Sequence, residues 1–112
     1  MLYQLVPLPR GPLAGLDLVS RAVLGAIYDR IRLSNYSLTG GNAQFYDSSE
    51  GACYCLYSLE ELSALIGVST RTVKRSLQLL REDNLILSQR TYSGANRYFI
   101  HEGIMDYLRS PQ

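Results

Sequence analysis

This 112-residue chain has a single histidine, two cysteines and no tryptophan, and only one of its eleven basic residues, Lys74, is a lysine. A lone imidazole, with no nucleophile or glycine-rich phosphate loop near it, gives no basis for acid–base or nucleophilic catalysis, so no enzyme is expected. Cys53 and Cys55 are one residue apart and would share a face of a strand. With His101 they make three zinc candidates at an unfamiliar spacing, and a disulfide between them would close a very small loop. Buried thiols are the expectation, with no metal and no other cofactor. No apolar run approaches the roughly 18 residues that cross a bilayer, and the start of the chain has neither a basic segment nor a small-residue cleavage site. A cytoplasmic protein without membrane partners is expected. Repeats, heptads and low-complexity tracts are missing too, which excludes solenoids and coiled coils. With 46% hydrophobic side chains, the length suits one domain with a modest core.

What is present concentrates in residues 57–100, YSLEELSALIGVSTRTVKRSLQLLREDNLILSQRTYSGANRYFI. Ser58 followed by Glu61 is a capping box, which opens a helix by answering two unpaired backbone amides. Leu59, Leu62, Leu65 and Ile66 recur at helical spacing, and Gly67 can take the left-handed conformation that ends it. A second helix restarts at Ser69 or Thr70 and runs to about Asp83. Val73, Leu77 and Leu80 form its apolar stripe, while Arg71, Arg75 and Gln78 lie opposite with Lys74 beside them. This is the layout of a helix-turn-helix. Guanidinium and carboxamide forks match the paired groups on guanine and adenine edges in the major groove, although a charged helix face can equally be no more than a solvated surface.

A wing follows directly. Residues 85–87 start an apolar strand, residues 97–100 return, and Ser93, Gly94 and Asn96 are the turn formers between them. Arg90, Tyr92 and Arg97 bracket the tip, where a winged helix meets phosphate or an adjacent minor groove. Tyr98 alternates with Ile100 and is expected to pack. The charge distribution supports a polyanionic partner although the total, +1, does not. Residues 69–97 hold six bases against two acids, a net +4, and the remainder is −3. Positive charge therefore sits on the helix and wing that would release counterions from DNA.

The first half reads as scaffold. An arm at residues 1–16 contains a short strand at 2–6 and a Pro- and Gly-punctuated loop. A helix from Asp17 to about residue 34 carries Val19, Ala22, Val23, Ala26, Ile27 and Ile31 on one broad face, suited to packing under the helix-turn-helix. Arg30 falls within that face, so a buried arginine with a carboxylate or carbonyl partner is expected. Residues 35–57 read as an inserted hairpin whose strands, 44–46 and 52–57, pair across 47–51. Its Phe45, Tyr46, Tyr54 and Tyr57 could form a protein-binding surface, though strand aromatics are more often packed. Residues 101–112 form a C-terminal helix or tail, with His101 as a capping or surface residue. The fold class is α+β: a winged helix-turn-helix with an N-terminal arm and a hairpin inserted between the first two helices.

Over most of its length the chain resembles the N-terminal domain of the plasmid replication initiator A family. The resemblance is carried by residues 16–34, LDLVSRAVLGAIYDRIRLS, where Asp29, Arg30, Leu33 and Ser34 match the family's DR and LS signature, by the Tyr- and Gly-bearing hairpin, and by the 57–100 block. It implies a module that recognises repeated sequences at a replication origin, commonly as a homodimer. Double-stranded DNA would meet Ser69, Thr70, Arg71, Thr72, Lys74, Arg75 and Gln78 on the recognition helix, and Arg90, Tyr92, Asn96 and Arg97 on the wing. Family initiators usually continue into a C-terminal domain that engages host replication proteins. Here only residues 102–112 follow the wing, so the chain is expected either to stop at a domain boundary or to act alone. A transcriptional regulator on an operator, or a winged helix used for protein interaction, would share this fold.

Overall fold

In the computed structural model, which describes residues 6–110, the Asp17 side chain accepts a hydrogen bond of 2.7 Å from the Ser20 amide and starts helix α1, Leu18–Thr39. Ala22, Val23, Leu24, Ala26, Ile27 and Ile31 of this helix are buried. It runs five residues beyond the expected end near residue 34. Asn, Tyr and Ser are weak helix formers, but nothing between 34 and 39 breaks the helix, and Ser34 ties the last turns down. Its hydroxyl donates to the Arg30 carbonyl at 3.2 Å and the Tyr54 carbonyl at 3.1 Å. Gly40 is the cap. Of the expected strand at residues 2–6, all but Val6 lies outside the described residues.

The hairpin is smaller than its sequence suggests. Strands β1, Tyr46–Asp47, and β2, Ala52–Cys53, pair antiparallel over two residues each. The Asp47 carboxylate builds the turn by accepting from the Ser49 and Glu50 amides at 2.9 and 3.1 Å. Strand β3, Cys55–Tyr57, then leaves the hairpin and joins the wing. The sheet has order β3-β5-β4, all antiparallel, with β4 at Ile86–Arg90 and β5 at Asn96–Ile100. Residues 35–57 are thus not one inserted hairpin: their first residues finish α1, and their last three are an outer strand of the wing sheet.

Alternation along β5 separates two environments. Tyr98 and Ile100 are buried in the main core, Tyr98 completely. Arg97 and Phe99 point the other way, where Tyr54 of the hairpin packs on the Phe99 ring at 5.6 Å between centroids. The insertion therefore lies over the outer face of the wing sheet.

Helix α2, Leu59–Ile66, opens on the capping box, with the Ser58 side chain bonded to the Glu61 amide at 3.0 Å and Glu61 returning to the Ser58 amide at 2.9 Å. Gly67 is left-handed, with φ +84°, and the Ser63 hydroxyl bonds the Val68 carbonyl across the turn. Leu62 is buried, but Leu65 is exposed and does not join the apolar face expected of it. Helix α3, Thr70–Glu82, is capped by Ser69 and buries Val73, Ser76, Leu77 and Leu80. Helix α4, Glu102–Arg109, buries Met105. Its Tyr107 hydroxyl donates to the Arg10 carbonyl at 3.0 Å, and the ring lies on Gly11, where an added Cβ would stand 3.1 Å away. Among the described residues, no helix is long and apolar enough to cross a membrane.

Candidate nucleic-acid interface

Burying Val73, Leu77 and Leu80 fixes the rotation of α3, because residues 100° apart on a helix cannot all turn inward. Arg71, Lys74, Arg75 and Gln78 are therefore exposed together, with Thr70 and Ser69 exposed at the helix start and Thr72 half-buried beside them. Ser69 is committed to capping: its hydroxyl accepts from the Thr72 amide at 3.2 Å and lies 3.0 Å from the Thr72 hydroxyl. Gln78 is partly engaged, its Nε2 donating to Glu82 at 3.2 Å.

The cations divide by what they touch. Arg32, Arg97 and Arg109 are ion-paired at 2.7, 3.0 and 3.2 Å. Arg30 lies 3.8 Å from Glu61, donates to the Leu56 carbonyl at 2.7 Å and sits 3.8 Å from the centre of the Tyr57 ring. It has both partner types expected of it, yet it is exposed, because it lies across the edge of β3 and does not enter the core. Among the described residues, Arg10, Arg21, Arg71, Lys74, Arg75, Arg81 and Arg90 form no ion pair, although Arg21 donates to the Leu16 and Pro7 carbonyls and Arg81 to the Ser88 hydroxyl. Arg75 does feel Asp17: hydrogen bonding from Ser20 holds the Asp17 carboxyl below its ordinary value, and the fields of Arg75 and Arg21 add to this.

At the wing tip, Gly94 is left-handed at φ +85°, and the Thr91 hydroxyl bonds the Ala95 carbonyl. Arg90 and Tyr92 project from this tip, Tyr92 fully exposed. Asn96 is not in the turn but begins β5 opposite Arg90, with its Nδ2 donating to the Tyr98 hydroxyl at 3.3 Å. Arg97 is half-buried: its guanidinium meets Asp47 of the hairpin at 3.0 Å and lies 4.1 Å from the centre of the Tyr54 ring. The α3 face and the wing tip thus leave Thr70, Arg71, Lys74, Arg75, Arg90 and Tyr92 exposed, while Ser69, Thr72, Gln78, Asn96 and Arg97 are engaged within the protein. Asp47 and Tyr54 had no local sequence signal as partners of Arg97, being about fifty residues away along the chain.

The thiols stand apart from this surface. Cys53 and Cys55 are both free and buried. Burial raises both, and pushes Cys55 up to about 12. Tyr54 and Tyr57 are buried as well, leaving Tyr46 as the exposed aromatic of the hairpin strands.

Residues 56–98 match the DeoR-like helix-turn-helix domain. A solved structure described as the N-terminal domain of a DNA-binding protein superposes with TM-score 0.61 and 18% identity, covering 83% of this chain and 66% of that one. The structure of an MDR initiator superposes with TM-score 0.62 and 16% identity, over 87% of this chain and 74% of that one. No curated protein matches the sequence. The chain has a winged helix-turn-helix fold, and its residues 56–98 resemble a DeoR-like helix-turn-helix.

Proposed function

We propose that this domain binds duplex DNA sequence-specifically as the N-terminal module of a plasmid or mobile-element replication initiator, with α3 in the major groove at repeated origin sites. The observation that carries the reading is the clustering of exposed cations without ion pairs on α3 and the wing. Arg71, Lys74, Arg75 and Arg90 stay exposed along α3 and the wing with no ion pair, whereas Arg30, Arg32, Arg97 and Arg109 are paired within the scaffold. Arg71 and Gln78 offer the forked donors that read base edges, and the helix N-terminus capped by Ser69 favours a phosphate. Arg90 and Tyr92 extend the same surface to the neighbouring backbone.

The initiator role is supported by the resemblance of residues 16–34 to replication initiator A proteins and by the shared fold of the MDR initiator structure. The decisive experiment is an unbiased selection of bound sequences from a random duplex pool. A tandem array of one motif is expected; a single inverted repeat would point to an operator instead, and failure to enrich any sequence would remove specific binding altogether.

A further inference from the structure

Arg97 has the composition of a wing contact but the surroundings of a strut. It lies on β5, the middle strand, and projects from the outer face of the sheet. Its guanidinium meets the Asp47 Oδ2 at 3.0 Å, reaches the Gln89 Oε1 at 3.5 Å and stacks on the Tyr54 ring at 4.1 Å. Asp47 in turn uses its other oxygen, Oδ1, for the hairpin turn, accepting from the Ser49 and Glu50 amides and from the Ser49 hydroxyl at 2.6 Å. One carboxylate thus closes the hairpin with one oxygen and holds the wing with the other. The hairpin itself is only two residue pairs long, too short to hold its position without tertiary contacts. The pair that fixes it to the sheet is partly shielded, with the Asp47 side chain 15% exposed.

We infer that Arg97 is a positioning residue for DNA binding, which fastens the inserted hairpin to the outer face of the wing sheet through Asp47 and so holds the wing for contact by Arg90 and Tyr92. The inference rests on the DNA-binding reading above. A phosphate could reach this guanidinium only by competing with a carboxylate already in place, whereas the sheet gains a second layer as long as the pair is intact. An ordered wing loses less conformational freedom on binding, and that loss otherwise subtracts from affinity.

The two roles predict opposite behaviour for Asp47→Asn. Asparagine keeps an oxygen for the turn amides but then turns its NH2 donors toward Arg97, breaking the link while leaving the arginine charged and free. If Arg97 is a positioning residue, Asp47→Asn and Arg97→Gln each weaken binding to the preferred duplex by about 3- to 10-fold. The double variant is then no worse than either single one, and the salt dependence of affinity keeps its wild-type slope. If Arg97 instead meets phosphate, Arg97→Gln reduces the magnitude of the slope by about one, Asp47→Asn binds as tightly as wild type or tighter, and the inference is overturned. Unchanged binding in both single variants overturns it as well. Amide hydrogen exchange without DNA provides a separate readout: both single variants should speed exchange in residues 46–53 and 86–90 while α1 and α3 stay protected. Faster exchange there, with a wild-type domain that ignores duplex DNA, would retain the strut and discard the DNA-binding reading. Unchanged exchange would discard the strut itself.

Discussion

What distinguishes Arg71 from Arg90 is the kind of loss each would leave. Arg71 and Gln78 lie on the exposed face of α3, where a forked donor can pair with one base. Alanine at either should cost about 1–3 kcal/mol on the preferred site and relax preference at one position, while scrambled duplex is held almost as before. Arg90→Ala should weaken both duplexes alike, since a phosphate carries no sequence information. Titrations of specific and scrambled DNA separate the two; equal losses for Arg71→Ala would remove it from base readout. Cys55 gives a residue-scale test of the core. With its thiol pushed up to about 12 by burial, it should resist an aromatic disulfide reagent at pH 8 until denaturant unfolds the domain. Prompt labelling in the native state would contradict its burial. Arg30 shows why single residues are hard to place from sequence. The helical periodicity put it within an apolar arc and so implied burial, but a long side chain can lie across a strand edge and keep its head in water, and Arg30 is exposed.

For the elements, local chemistry was legible and long-range pairing was not. Ser58, Glu61, Gly67 and Ser69 announce the ends of α2 and α3 because caps involve atoms three or four residues apart. The membership of β3 in the wing sheet depends on Tyr57 meeting Asn96, which no local pattern encodes, and the extension of α1 depends on a bond from Ser34 to Tyr54. The caps can be tested by denaturation. Ser58→Ala should cost about 1 kcal/mol, and Gly67→Ala about 1–2 kcal/mol because a side chain is strained at φ +84°. Urea midpoints at fixed m-value report both, and an unchanged midpoint for Gly67→Ala would mean that the turn relaxes. The cap of α1 adds a pH dependence. Asp17 titrates below its ordinary value in the folded protein, chiefly through hydrogen bonding from Ser20. Its ionised form therefore stabilises the fold above the ordinary carboxylate range, and that contribution is lost as pH falls through the depressed value. Asp17→Asn keeps a competent cap, so its stability should decline less steeply between about pH 5 and 2 than that of the parent; parallel acid curves would show that Asp17 contributes no pH dependence.

As a whole molecule, the domain is nearly neutral, with net charge +1, yet it should bind DNA with a clear salt dependence. Only the local surface matters within a Debye length of about 10 Å at 0.1 M salt, and that surface holds Arg71, Lys74, Arg75 and Arg90 without ion pairs to quench them. If all four release counterions, log affinity should fall against log salt with a slope of about −3 to −4 per domain. A slope near zero on duplex DNA would sink the proposed surface even if some binding persisted. The arrangement of the sheet has another consequence, for the order in which the molecule can be built. Among the described residues, β5 is the last strand in sequence but the middle strand of the sheet, and β3 and β4 each bond to it and not to each other. As a growing chain leaves the ribosome, the two outer strands must wait without each other until Asn96 and the residues after it arrive. The wing sheet should then form in one late step, with no partial sheet before it, and the reading head should reach its finished shape only when nearly the whole domain has been made.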